Sequence, residues 1–276
     1  MKTFLSITFI LVSLISIGQQ KEYEKGIELY EKGKFNQAIK SLDKALALNR
    51  FSPPVLSLRG SCYIRLEKYD LALKDFNAIS FLTPDNVLNL YNIGLCHNVM
   101  SNYSEGCDSF RLAIEKGLTE EDVTVGMSET MGACFYFCSD LENAETFLKL
   151  AIRMGSTDSA MPNDLAWTYT QNGKYKEAIK LFRDAYELEP TRYQNVNNLG
   201  YAYYLDDQLE KAESYVLEAK KLNSNNSFIY RNLGLIRMKQ ENKEEACEFL
   251  QKSIELNILV EWGEFYVKDL LEYCSD

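Results

Sequence analysis

The chain has little of what catalytic and nucleic-acid-binding proteins need. Its 276 residues hold one histidine, His97, with five prolines and two tryptophans. A single histidine supplies no His pair for a zinc site. No nucleophile, base and orienting group can be assembled around His97, and no His-Glu-x-x-His or phosphate-cradling glycine loop occurs. His97 therefore reads as a structural residue, and the sequence offers no catalytic, metal or cofactor site. Basic residues number 30 against 40 acidic ones, a formal net charge of −10. A phosphate backbone calls for a basic stripe, and none is visible, so nucleic acid is excluded as a partner while a cationic protein segment is easily accommodated. Acidic pairs such as Glu120-Glu121 and Glu244-Glu245 read as solvated surface. With so few prolines and no low-complexity run, there is no place for a disordered linker.

What is there begins with residues 1–18. Lys2 gives a short basic start, Phe4 to Ile17 is nearly all apolar, and Ser16-Ile17-Gly18 supplies small residues where a signal peptidase cuts. The run is shorter than the roughly 20 residues of a spanning helix. The expectation is a cleaved signal peptide, a mature start near Gln19, and export to a periplasm or beyond. Contact with a membrane arises only if this segment is retained.

The rest of the chain repeats. Small residues stand at Gly26, Gly60, Gly94, Gly132, Ala166, Gly200 and Gly234, spaced by 34 except for one step of 38. Twelve residues after each lies Ala38, Ala72, Gly106, Ala144, Ala178, Ala212 or Ala246. The clearest copy, Leu165 to Pro190, is two amphipathic segments around an Asn172-Gly173 turn, ended by Pro190. One such hairpin cannot bury its apolar face alone, but stacked copies can. Four extra residues fall around Thr119–Thr124, where Thr119 and Asp122 suggest a capping box that starts the fourth copy early.

Leu-Gly, an aromatic, a turn, then Ala, Phe, Ala and Pro, repeating every 34 residues, resembles the tetratricopeptide repeat. The resemblance implies an all-α fold: a right-handed α-solenoid superhelix of seven helical hairpins over residues 19–258, plus a capping helix at 261–276 carrying Trp262, Tyr266, Leu270 and Tyr273. The copies fall at 19–52, 53–86, 87–120, 125–158, 159–192, 193–226 and about 227–260.

The seven cysteines mostly occupy small-residue positions of the repeat and read as packed thiols. Cys96 and Cys107 lie on the two helices of one hairpin and form the candidate disulfide; the odd total leaves at least one thiol unpaired in a monomer. Cys134 and Cys138 lack a second ligand pair for zinc.

In the resembled family the first helix of each hairpin lines a concave wall. Projected onto that geometry, the candidate groove residues are Tyr91, Asn98, Tyr136, Phe137, Asn163, Trp167, Gln171, Asn197, Tyr201, Tyr204, Phe228 and Arg231. Aromatics mixed with amides suit an extended peptide, combining apolar area with hydrogen bonds to backbone. Several of these tyrosines are equally placed to pack between hairpins; Trp167 is larger than the repeat requires. The lysine and asparagine clamp that some relatives use for acidic tails is not in place, since Tyr23 and Ile27 stand there in the first copy. The function expected is a non-catalytic scaffold for a protein or peptide, with a structural subunit of a cell-envelope assembly as the alternative. Oligomeric state and partner are not legible.

Overall fold

The computed structural model describes residues 2–261, 263 and 267–275. Every regular element among them is helical, and fourteen helices pair in chain order into seven antiparallel hairpins. These are α1 (Lys2–Glu31) with α2 (Phe35–Leu48), α3 (Pro53–Arg65) with α4 (Tyr69–Leu82), α5 (Val87–Val99) with α6 (Tyr103–Glu115), α7 (Val125–Phe137) with α8 (Leu141–Arg153), α9 (Ala160–Gln171) with α10 (Tyr175–Leu188), α11 (Tyr193–Leu205) with α12 (Leu209–Leu222), and α13 (Ser227–Lys239) with α14 (Lys243–Glu255). Short helices α15 (Ile258–Glu261) and α16 (Lys268–Ser275) follow. No helix among the described residues is long and apolar enough to cross a membrane.

The small residues do the work the spacing suggests, against a partner the spacing did not single out. The glycines of α1, α3, α5 and α7 each face a large side chain sixteen residues on. A Cβ at Gly26 would lie 2.7 Å from Leu42, at Gly60 2.7 Å from Phe76, at Gly94 2.5 Å from Phe110 and at Gly132 2.9 Å from Leu148. Phe76 and Phe110 are fully buried in this way. The glycine lets the two helices of a hairpin close over a ring or leucyl group, and neighbouring hairpins bury the remaining apolar face.

Each hairpin turns on one residue in the left-handed region: Gly33, Glu67, Ser101, Ser139, Gly173, Asp207 and Glu241, with φ between 57° and 70°. The next backbone N–H closes the end of the first helix by bonding five residues back, as Lys68 N to Tyr63 O (2.9 Å) and Asn242 N to Arg237 O (3.0 Å). This is a Schellman-type helix end. The sequence signals it only at the two glycines.

The chain divides into two compact units, Met1–Thr124 and Val125–Asp276. The first holds α1 to α6 and the second α7 to α16. The boundary falls at the four extra residues. They do not begin the fourth copy early: Thr119 N and Oγ1 donate to Asp122 Oδ2 at 2.9 and 2.7 Å, closing a local turn, and α7 starts at Val125. Those bonds hold the Asp122 carboxyl below its ordinary range.

The C-terminal cap differs from a single helix over 261–276. It is split at Gly263, whose φ is +80°. Trp262 and Tyr266 lie outside the described residues. Leu270 of α16 is buried and reaches to 3.1 Å of a Cβ at Gly234, so α16 covers the last hairpin. Cys247 on α14 and Cys274 on α16 form a disulfide, with Cα atoms 5.7 Å apart. Cys107 and Cys138 are each held in a disulfide, while Cys62 and Cys96 are free, and Cys62, Cys96 and Cys134 are all buried. The expected Cys96–Cys107 pair is therefore corrected. Cys96 belongs to the buried core cluster that holds Phe76 and Ile79 of the preceding hairpin, and Cys107 is taken up by a different disulfide. Burial pushes its thiol up to about 12, and that of Cys62 to about 11.

Candidate binding site on the first helices

Of the groove candidates, Tyr91 and Asn98 stand on α5 in the first unit; the other ten stand on α7, α9, α11 and α13 in the second. Tyr91 is buried, and Asn98 is half-buried with an Oδ1 that has no hydrogen-bond partner. His97 beside it is half-buried in α5, with Nδ1 likewise unsatisfied.

In the second unit the first helices form one row, and an aromatic cluster runs along it. Trp167 of α9 is half-buried. Its ring meets Phe182 of the core edge-on at 5.5 Å and Tyr201 of α11 at 5.7 Å. Tyr201 stacks on Tyr204 at 5.9 Å. Cations close the cluster: the Arg231 guanidinium lies 4.7 Å over Tyr201 and Lys239 Nζ lies 4.6 Å over Tyr204. Burial first, then Tyr201, pushes the Tyr204 phenol upward. Tyr136 and Phe137 of α7 are in ring contact at 5.5 Å, and Phe137 is exposed, as is Gln171. Phe228 on α13 is half-buried.

The amides form a second row, tied to one another between hairpins. Asn198 Nδ2 donates to Asn163 Oδ1 at 2.8 Å, and Asn232 Nδ2 to Asn197 Oδ1 at 3.1 Å. Arg231 Nη1 donates to Asn232 Oδ1 at 2.8 Å. Asn197 is buried, so its amide serves the joint between α11 and α13, whereas Asn163 is half-buried. Asn163 Nδ2 also donates to Asp164 Oδ1 at 3.1 Å. The sequence reading passed over Asn198, Asn232 and Asp164. Their signal was present as the residue following each candidate at 163, 197 and 231.

Among the described residues no group of three or more His, Cys, Asp or Glu could hold a metal ion. The row is suited to contact rather than chemistry, since it pairs aromatic faces with amide donors and acceptors.

Stacked helical hairpins presenting a row of first helices define an α-helical repeat protein. The repeat is tetratricopeptide where a family model matches: residues 23–87, 163–192 and 229–257 each match models described as tetratricopeptide repeat, so the chain carries tetratricopeptide repeats in these stretches. It is 25% identical over 188 residues to human tetratricopeptide repeat protein 16, covering 64% of this chain and 21% of that protein. It is 24% identical over 259 residues to chicken DnaJ homolog subfamily C member 3, covering 84% of this chain and 49% of that protein. The chain thus spans half or less of the length of these two relatives. The crystal structure of the C-terminal part of a TPR repeat-containing protein from Cytophaga hutchinsonii is similar in fold, with a TM-score of 0.56 and 19% identity over 89% of this chain and 99% of that one. Proteins built of this repeat commonly serve as protein-interaction scaffolds, and nothing in these likenesses indicates catalysis.

Proposed function

We propose that the chain is a non-catalytic scaffold that holds an extended segment of a partner protein along the first helices of its second unit. The observation that carries this reading is the Trp167–Tyr201–Tyr204 cluster, flanked by the amides of Asn163 and Asn198. Rigid aromatic rings offer large contact area at small entropic cost, and amides satisfy a strand's backbone groups. The test is capture of partners from native extract by the purified chain and by a Trp167→Ala/Tyr201→Ala variant. Loss of the captured proteins with the variant is expected; an unchanged set, with both proteins folded, refutes the groove and favours contacts through other surfaces.

Export belongs to the same proposal. The apolar start of the chain is one support. The disulfide-bonded Cys107, Cys138, Cys247 and Cys274 are another, because such bonds persist in oxidising compartments. The mature protein is expected to begin near Gln19, as intact mass would show; recovery of Met1 on the exported form refutes cleavage.

A further inference from the structure

Asp164 is a half-buried carboxylate whose charge no neighbouring cation pairs among the described residues. Asp75 is paired with Arg59, and Glu213 with Arg237. Asp164 forms no ion pair with any described residue, and its one side-chain partner is the neutral amide of Asn163. The cation whose charge favours its ionisation, Arg192, is held by Ser159 Oγ and Glu189 Oε2, each at 3.1 Å, while Asp158 opposes ionisation. Burial pushes the Asp164 carboxyl up to about 6. A carboxylate partly desolvated in this way gains more from a cation than an exposed one does, because part of its hydration is already lost.

Its placement is not incidental. Asn198 of α11 fixes Asn163, and Asn163 in turn fixes Asp164 Oδ1, so the carboxylate is oriented from the joint between two first helices. Trp167 lies three residues on, on the same face of α9, and adds an aromatic ring of the kind that attracts cations. The formal net charge of −10 favours a basic partner overall.

We propose that Asp164 and Trp167 together form a seat for one lysine or arginine side chain of the bound segment. This rests on the groove reading above and specifies the chemistry of its occupant. A carboxylate and a ring discriminate a basic side chain from a neutral one through a charge-assisted hydrogen bond, so removing the charge should weaken such a peptide about tenfold.

The test is selection of a displayed library of random short peptides on the full chain and on Asp164→Asn, Asp164→Glu and Trp167→Ala/Tyr201→Ala, with helical content checked by circular dichroism. The expected result is a consensus with Lys or Arg at one position. That preference should be kept by Asp164→Glu and lost by Asp164→Asn, which should bind the synthesised consensus about tenfold more weakly while binding its neutral analogue as the wild type does. A consensus without a basic position, or one that survives Asp164→Asn, overturns the seat and leaves the groove standing. Peptides unaffected by Trp167→Ala/Tyr201→Ala, or no enrichment at all, overturn the groove and the seat with it.

Discussion

Removing Arg59 should damage the first unit more than any exposed ion pair could. Arg59 stands on α3 between two carboxylates of the flanking second helices. Its Nε and Nη2 grip Asp75 of α4 at 2.9 and 2.6 Å, and Nη1 reaches Asp43 of α2 at 2.7 Å. The two arms differ in setting: the Asp75 side chain is 5% exposed and that of Asp43 51%. The Asp75 hydrogen bond is the main reason the Arg59 guanidinium is held above its ordinary range. Arg59→Ala leaves a buried carboxylate alone, a loss of about 3–5 kcal/mol. Asp43→Ala releases only a solvent-screened arm, worth about 1 kcal/mol or less. Arg59→Met with Asp75→Leu removes both charges and should come out near the wild type, because desolvation offsets most of what a buried pair gains. Urea unfolding followed by circular dichroism, with the slope m unchanged, reads all three. The reasoning is refuted if Arg59→Ala costs less than about 1 kcal/mol, or if Asp43→Ala costs as much as Arg59→Ala.

The turns and the cap give two further expectations. Gly173→Ala, at φ +70°, should cost about 1–2 kcal/mol, while Glu241→Gly, at φ 58°, should raise stability by about 0.5–1 kcal/mol; a urea midpoint unchanged by Gly173→Ala or lowered by Glu241→Gly would refute the backbone account. Cys247→Ser/Cys274→Ser opens a link spanning 27 residues and should lower the stability of the second unit by roughly 3–4 kcal/mol, measured against wild type in the absence of reductant; an unchanged midpoint would mean that α16 is held by Leu270 and Val267 alone.

The fold was legible because its packing is periodic. Gly60 and Ala72 recur at fixed offsets, and a repeat that works seven times writes its rule seven times. The turn residue recurs just as strictly in space, yet Glu67, Ser101 and Asp207 carry no turn signature. Their conformation is imposed by the hydrogen bonds that end the first helix, which override the local preference. Arg59 and Asp75 were hidden for a different reason: they lie sixteen residues apart on different helices, and only the closed hairpin brings them together. Cys274 lies outside the repeat, so spacing within it could not point to the bond with Cys247. At the candidate site the aromatics were legible as residues too large for their position, as Trp167 shows. Asn197, by contrast, resembled a groove amide and proved buried in a joint, because an amide seen only as a letter does not reveal which side of its helix is covered.

The three buried thiols give the molecule a latent chemical clock. Cys62, Cys96 and Cys134 are thiols enclosed in a chain that also holds oxidised sulfur. While the hairpins stay shut, exchange is suppressed by exclusion of reagent and, at Cys62 and Cys96, also by a thiolate fraction lowered through burial. Any opening that lets water reach them restores an ordinary thiol in a chain that also carries disulfides, and rearrangement can then outrun reclosure. The lifetime of the native connectivity is therefore set by how often a hairpin opens, and the rate at which each thiol is trapped by an alkylating reagent would time that opening one hairpin at a time.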